Sequence, residues 1–367
     1  MNKIKGENMI NLKKVGLTAL AGSLVAVSAT AGEISVTGSA NVTYVTGKDN
    51  AAGKSIGTDK DVAFTGTGEL DNGWTFTVSS LLTDAMSISS SYTSLTMGSL
   101  GTVSFGTDTG GSNYKYDEEV PQAYEQMSDA QNNTANRVGN FHDTNMIVYN
   151  SPAFDLGGVS ASFDIEYVPT VAQSGTSVLV NDGGDVTENN DFGSGKSLGV
   201  TLSYDALKVG VYGAELERTT PGTEAQDAFE GTWYASYSMG PVSIGYTESY
   251  MDTGANGAAE LATAAKTEGT ANVRTANGFF EGHQASIAFN VNENLSISYT
   301  ESEETYDAQH DSATAVADVT QKTDGIQVAY SMGAMSIKAY RLEVENPQFD
   351  QDAADKTSTE IALGLAF

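Results

Sequence analysis

The chain has 367 residues, with 47 acids against 18 Lys and Arg for a formal charge of −29, together with 39 Gly, 17 Tyr, 13 Phe, 6 Pro and no Cys. No disulfide or thiolate chemistry is possible, and four arginines, Arg137, Arg218, Arg274 and Arg341, are too few for the cationic face that a nucleic acid requires. The 40% apolar content is broken by glycines, so neither spanning helices nor a large oily core is expected; one large all-β domain is.

The chain opens with Lys3, Lys5, Lys13 and Lys14 ahead of an apolar run from Val15 to Val27, then Ala29-Thr30-Ala31. A positive start, a short apolar stretch and a small-x-small site are the pattern of a cleaved export signal over residues 1–31. The run is short of the roughly 20 residues needed to span hydrocarbon. Met9 begins a complete signal of its own and is an alternative start.

Beyond residue 32 the sequence reads as alternation, apart from an Ala-rich stretch at Ala258–Lys266 that suits two helical turns in a loop. Ile34, Val36, Ala40, Val42 and Tyr44 oppose Ser35, Thr37, Ser39, Asn41 and Thr43. Ribbons follow near 60–70, 73–82, 86–97, 100–108, 144–151, 158–168, 196–205, 207–217, 228–239, 241–250, 281–291, 294–303, 322–332, 334–345 and 357–367, sixteen in all with the first. One face is repeatedly apolar and the other small and hydroxylated. The links alternate in length: tight at Asp71–Gly73, Gly98–Ser99, Asp205–Ala206, Met239–Pro241, Asn292–Asn294 and Met332–Ala334, but long and polar after most odd ribbons. Ser151–Gly157 is longer than the other tight links, and Thr83–Ala85 is a short exception among the long ones.

Segregation of loop length by parity is what an antiparallel barrel crossing a membrane produces, because successive links emerge on opposite sides. In hydrocarbon every backbone polar group must be paired internally, so the sheet closes and Phe367 belongs to a last strand that zips against the first. Apolar faces then meet lipid, and Ser, Thr and Gly line water. Aromatics near ribbon ends, among them Tyr44, Trp74, Tyr92, Tyr167, Tyr204, Tyr299 and Tyr330, suit headgroup belts, although Tyr also favours strands generally. Near residue 340 the apolar face changes sides, which calls for a bulge or for emergence above the bilayer.

An export signal, sixteen ribbons, a long third loop and a terminal Phe resemble the Gram-negative trimeric porins. The signal from Lys13 to Ala26, the opening Glu33 to Ala40 and Val120 to Glu125 resemble in particular the acidic porins of marine alphaproteobacteria. The resemblance covers residues 32–367 and implies a homotrimer in outer-membrane lipid and lipopolysaccharide that passes small hydrophilic solutes. It also implies insertion by the barrel-assembly machinery, with Phe367 as part of the assembly signal. By position, residues 109–143 correspond to the inward-folded constriction loop, carrying Asp117, Glu118, Glu119, Glu125 and Asp129 with Lys115 and Arg137. Facing that loop the family often presents several arginines. This chain offers only Lys208, Lys338 and Arg341 or Arg218, while Glu69, Asp164 and Glu166 add acid on the polar parity. A cation-preferring pore is therefore expected; a merely solvated acidic loop is the bland alternative.

No catalytic constellation is legible: His142, His283 and His310 are far apart, and no nucleophile elbow or phosphate loop occurs. No cofactor is expected, although acidic loops such as Asn181–Asp185 could hold Ca²⁺ weakly. Two other readings stay open. One is a substrate-specific channel with Tyr114, Tyr116 and Tyr124 as an aromatic track; the other is a secreted acidic β-protein of a surface layer.

Overall fold

The computed structural model describes residues 32–48, 54–84, 87–107, 115–117, 119–127, 138, 146–169, 192–218, 226–252, 254, 279–307 and 318–367. The signal segment, Ala258–Lys266, Asn181–Asp185, Tyr114, His142, His310, Glu118, Asp129 and Arg137 lie outside the described residues.

Alternation becomes strand throughout: β1 (Ile34–Lys48), β2 (Ser55–Glu69), β3 (Thr75–Leu82), β4 (Ile88–Thr96), β5 (Thr102–Thr107), β6 (Met146–Asn150), β7 (Phe154–Asp155), β8 (Ser160–Val168), β9 (Phe192–Tyr204), β10 (Leu207–Arg218), β11 (Ala228–Met239), β12 (Val242–Asp252), β13 (Phe279–Asn290), β14 (Leu295–Asp307), β15 (Val319–Met332), β16 (Met335–Glu345) and β17 (Lys356–Ala366). Every pairing is antiparallel, and β17 closes on β1 from Ser39↔Ala366 to Lys48↔Thr357. The sheet has no free edge, as a spanning sheet requires.

Sixteen staves result, because β6 and β7 are one stave interrupted at Pro152. Both pair with β8, Asn150 opposite Asp164 and Phe154 opposite Ala161, and Ser151 N donates to Phe163 O between them. Proline supplies no N–H to the ladder, so pairing lapses and then resumes. The expected longer link at Ser151–Gly157 is thereby corrected. The turn itself is Leu156–Val159, built on Gly157 and Gly158 at φ 73° and 99°, with Asp155 Oδ1 accepting from Gly158 N at 2.7 Å. The short-turn end of the barrel is uniformly tight.

The two faces divide as the alternation anticipates. On β9, Leu198, Val200, Leu202 and Tyr204 are exposed outward while Ser197 and Thr201 are buried inward. Around the barrel the exposed side chains include Phe64, Val78, Phe105, Ile165, Val211, Ile244, Ile287, Ile326 and Leu363. A continuous apolar outer surface of this extent suits hydrocarbon and not water. Tyr92 departs from the belt expectation: paired with Ser79 and Gly106, it has the inward parity.

No bulge occurs near residue 340. β16 keeps unbroken register with both neighbours, from Met335 to Val344 against β17 and to Glu345 against β15. Arg341, Glu343 and Glu345 are exposed outward, above Ile337, whereas Tyr340, Leu342 and Val344 are buried inside. The apolar parity switches because an inward loop covers this stretch of wall, Tyr124 packing against that buried trio.

Candidate functional site

The segment 115–127 runs inside the barrel and touches the wall strand by strand. At its start Lys115 Nζ donates to both carboxylate oxygens of Asp164 on β8 at 2.8 Å. The Tyr116 hydroxyl donates to Asp164 Oδ2 at 2.9 Å and lies 3.1 Å from the Thr201 hydroxyl on β9. Its ring stacks on Tyr212 at 5.4 Å and tilts against Tyr234 at 6.1 Å. Burial, reinforced by the Asp164 carboxylate, pushes the Tyr116 phenol well above its ordinary range, so it remains a proton donor.

Farther along, Glu119 Oε2 accepts from Lys208 Nζ on β10 at 2.8 Å, and the same ammonium sits 5.1 Å from the Tyr234 ring centre. Pro121 O accepts from Ser286 on β13 at 2.5 Å, and Ala123 N donates to Ser298 Oγ on β14 at 2.9 Å. Gln327 on β15 holds the backbone twice, accepting from Tyr124 N at 2.8 Å and donating to Glu125 O at 2.6 Å. The Tyr124 hydroxyl reaches Glu360 on β17 at 2.7 Å, and Lys338 Nζ lies 5.2 Å from its ring. Burial first, then the hydrogen bond to Glu360, raises this phenol as well.

Three inward glycines are seats for the segment. A methyl added at Gly199 would meet the Tyr116 ring, at Gly245 Pro121 and Val120, and at Gly325 the Met127 thioether. Glycine permits this close approach because it has no Cβ. A glycine on an otherwise Ser/Thr face is the sequence signal that could have located the seats. Nothing in the sequence distinguishes Gln327, Ser286, Ser298 and Glu360 from other polar inward residues.

These contacts fall on β8–β17. The inner face of β1–β5 lies apart from them and carries Thr37, Ser39, Asn41, Thr43, Thr65 and Ser79, with Thr65 and Ser79 hydroxyls 3.2 Å apart. Asp59 and Asp61 share this inward parity, and among the described residues of β1–β5 no Lys or Arg does.

The sequence-derived site residues sort accordingly. Lys115, Asp117, Glu119 and Glu125 belong to the inner segment, and the Asp117 carbonyl accepts from Gln126 Nε2 at 3.1 Å. Asp164 and Glu166 are buried on the wall, with Ser197 donating to Glu166 Oε2 at 2.7 Å. Glu69 ends β2 opposite Thr75 with inward parity at the short-turn end. Lys208 and Lys338 stand on the wall that the segment docks against, and so do not face it from across the lumen. Arg341 is corrected outright: it is exposed on the outer surface and pairs with Glu343 at 3.2 Å. Arg218 sits at the long-loop rim, its Nε donating to Gln226 O at 2.7 Å. Among the described residues no His, Asp or Glu cluster has metal-ligating geometry.

A family model described as "Gram-negative porin" matches residues 16–367. Among solved structures, OmpF of Salmonella typhi in complex with daunomycin is similar with a TM-score of 0.66 and 13% identity, over 92% of this chain and 99% of that one. An anion-selective porin from Comamonas acidovorans gives 0.59 at 14% identity, over 92% and 100%, and the outer-membrane channel DcaP of Acinetobacter baumannii gives 0.57 at 12%, over 92% and 98%. At these identities the likeness is one of fold. No protein of curated function matches the chain.

Proposed function

The chain belongs to the Gram-negative porins, and from that membership we propose that it is a cation-preferring pore narrowed by its own 109–143 segment. As a porin it is a passive diffusion channel of the outer membrane. The preference for cations rests on where positive charge stands. Lys115 and Lys208 are bound to Asp164 and Glu119 at 2.8 Å, and Lys338 lies against the Tyr124 ring, all on the loop-bearing side. Lys356 has inward parity only at the long-loop end of β17, opposite Val344. The facing wall of β1–β5 contributes hydroxyls and the Asp59 and Asp61 carboxylates, so a solute in the gap meets acid without a compensating cationic wall. In a narrow channel with low-dielectric walls, that imbalance enriches cations.

Asp117, Glu119 and Glu125 are the loop acids assigned to this filter, with Glu118, Asp129 and Arg137 in the same segment. Reversal potential across a salt gradient in planar bilayers tests the reading: a cation-selective sign supports it, and an anion-selective sign overturns it. Tyr116 is fully buried, which weighs against the rival aromatic track for one specific solute.

The proposal extends to a homotrimer set in lipopolysaccharide, delivered by the export signal and the assembly machinery, and to a lineage among acidic porins of marine alphaproteobacteria. A protomer contact at β3 and β4 is supported by a cluster of outward hydroxyls on an otherwise apolar surface: Ser80 and Ser91, hydrogen-bonded to each other at 3.2 Å, beside outward Thr93. Mass measurement of the detergent-extracted protein separates trimer from monomer.

A further inference from the structure

The link from β16 to β17 does not pass straight to its neighbouring stave. It turns inward as a short 3-10 turn, Pro347–Phe349, and runs back past β15 until the Phe349 ring meets the inner face of β13 and β14. Phe280 and Tyr306, opposite each other in the ladder and stacked at 4.7 Å, receive that ring at 5.3 and 5.9 Å. All three rings are buried, with Val319 of β15 in the same cluster. Pro347 is buried too, and Asn346 Nδ2 donates to Thr320 O on β15 at 2.8 Å. Both ends of this hook are left-handed, Asn346 at φ 48° and Phe349 at φ 57°. Asn tolerates that region, but a Phe is held there only where its surroundings fix it. The aromatic seat supplies the fixation.

We propose that this hook is a second constriction, set at the long-loop mouth, with Phe349 as the residue that positions it. Ser286 and Ser298, which hold the inner segment, lie nearer the short turns on the same two strands as Phe280 and Tyr306. The hook and the inner segment are thus stacked in series on one side of the barrel, and both leave the open bore along β1–β5. The hook limits the size of hydrophilic solute that enters from the long-loop side, whereas the inner segment limits what passes through. This assignment rests on the porin reading but not on its charge preference, because a size limit acts equally on neutral solutes.

Neutral polyethylene glycols of graded size, added to one side of a planar bilayer, report the size limit of the mouth they enter. A biotin on Lys54→Cys, in the exposed β1–β2 link of a chain without other thiols, marks the long-loop side by streptavidin binding. Phe349→Ala is expected to admit larger polymers from that side and to leave the limit from the short-turn side unchanged. In a separate protein, Val319→Cys, buried in the cluster with Phe349, is expected to react with a bulky maleimide at least about ten-fold faster once Phe349→Ala is added. Tyr306→Ala empties the seat from the wall and is expected to shift the polymer limit in the same way, which keeps the test decisive should Phe349→Ala fail to fold. Faster labelling with no change in the long-loop limit, or a limit that shifts equally from both sides, overturns the constriction. Unchanged labelling overturns Phe349 as its anchor. An anion-selective reversal potential beside the expected polymer shift would overturn the charge preference and leave the hook standing.

Discussion

Gly38 and Phe367 exchange both of their backbone hydrogen bonds, at 2.8 and 3.0 Å, and the Phe367 ring covers the face of Gly38 where a side chain would otherwise stand. The last residue is thus the final rung of the seam between β17 and β1, and an aromatic ring shields the glycine beside it, a known way of supporting a bare strand position. Deleting Phe367 removes two ladder bonds and the ring together, whereas Phe367→Ala removes only the ring. The deletion is expected to cost about 2–3 kcal/mol and the substitution about 1 kcal/mol, read as a graded loss of heat-resistant folded barrel on unboiled gels. Equal behaviour of the two variants would mean that the backbone rung is immaterial.

Gly199→Ala tests the seating of the inner segment. The new methyl group must displace the Tyr116 ring and with it the bonds to Asp164 and Thr201. A loss of about 1–3 kcal/mol is expected, together with faster proteolysis within 109–143 while the barrel remains intact.

Asp164→Asn leaves the Lys115 ammonium beside a buried amide in place of a carboxylate. Because Lys115 is about a third exposed, the expected cost is about 1–2 kcal/mol, below that of a fully buried pair. Single-channel traces should become noisier as the segment gains freedom. Quiet traces from a well-folded variant would place the restraint elsewhere.

Charge placed on the bare wall should act most directly on selectivity. Asn41→Arg with Ser79→Arg puts two guanidinium groups on the inner face of β1 and β3, where no base stands among the described residues. The reversal potential should shift toward anions, and more than after Glu343→Arg on the outer face. If the two variants shift it equally, the passage does not run along β1–β3.

The Tyr124 phenol is raised above its ordinary range by burial and by Glu360. A group whose folded value is raised contributes stability that is complete below its unfolded value, about pH 10 for tyrosine, and is lost as pH rises through the higher folded value. Conductance should therefore stay flat as pH approaches about 10, and Tyr124→Phe should lose the tether at every pH. A conductance step at the ordinary tyrosine value would show that the hydroxyl is solvated.

Much of this architecture was legible because period-2 alternation and loop parity are local signals repeated on every strand, from Ile34 to Phe367. Where reading by parity went astray, a third element intervened. Pro152 hid the continuation of its stave as Phe154–Asp155, since the ladder pauses where a donor is missing. Tyr340, Leu342 and Val344 reversed the usual face because Tyr124, more than two hundred residues earlier, packs on them from inside. That reversal also sent Arg341 to the outer surface. Lys208 and Lys338 have the inward parity expected of lumen residues, but parity cannot tell which side of a closed ring the inner segment occupies. That depends on glycine seats and on contacts far apart in sequence.

The hydroxyl of Tyr124 bonds to Glu360, a partner 236 positions later in the chain and on the seam strand β17 itself. This bond cannot form until the last stave is in place, and the Gln327 contacts likewise wait for β15. During assembly the two ends of the inner segment must therefore dock in order: the Lys115, Tyr116 and Glu119 contacts on β8–β10 can form early, and the Tyr124 end settles only as the ring shuts. Arrested intermediates lacking β17 should, by this order of events, be leakier than the finished barrel.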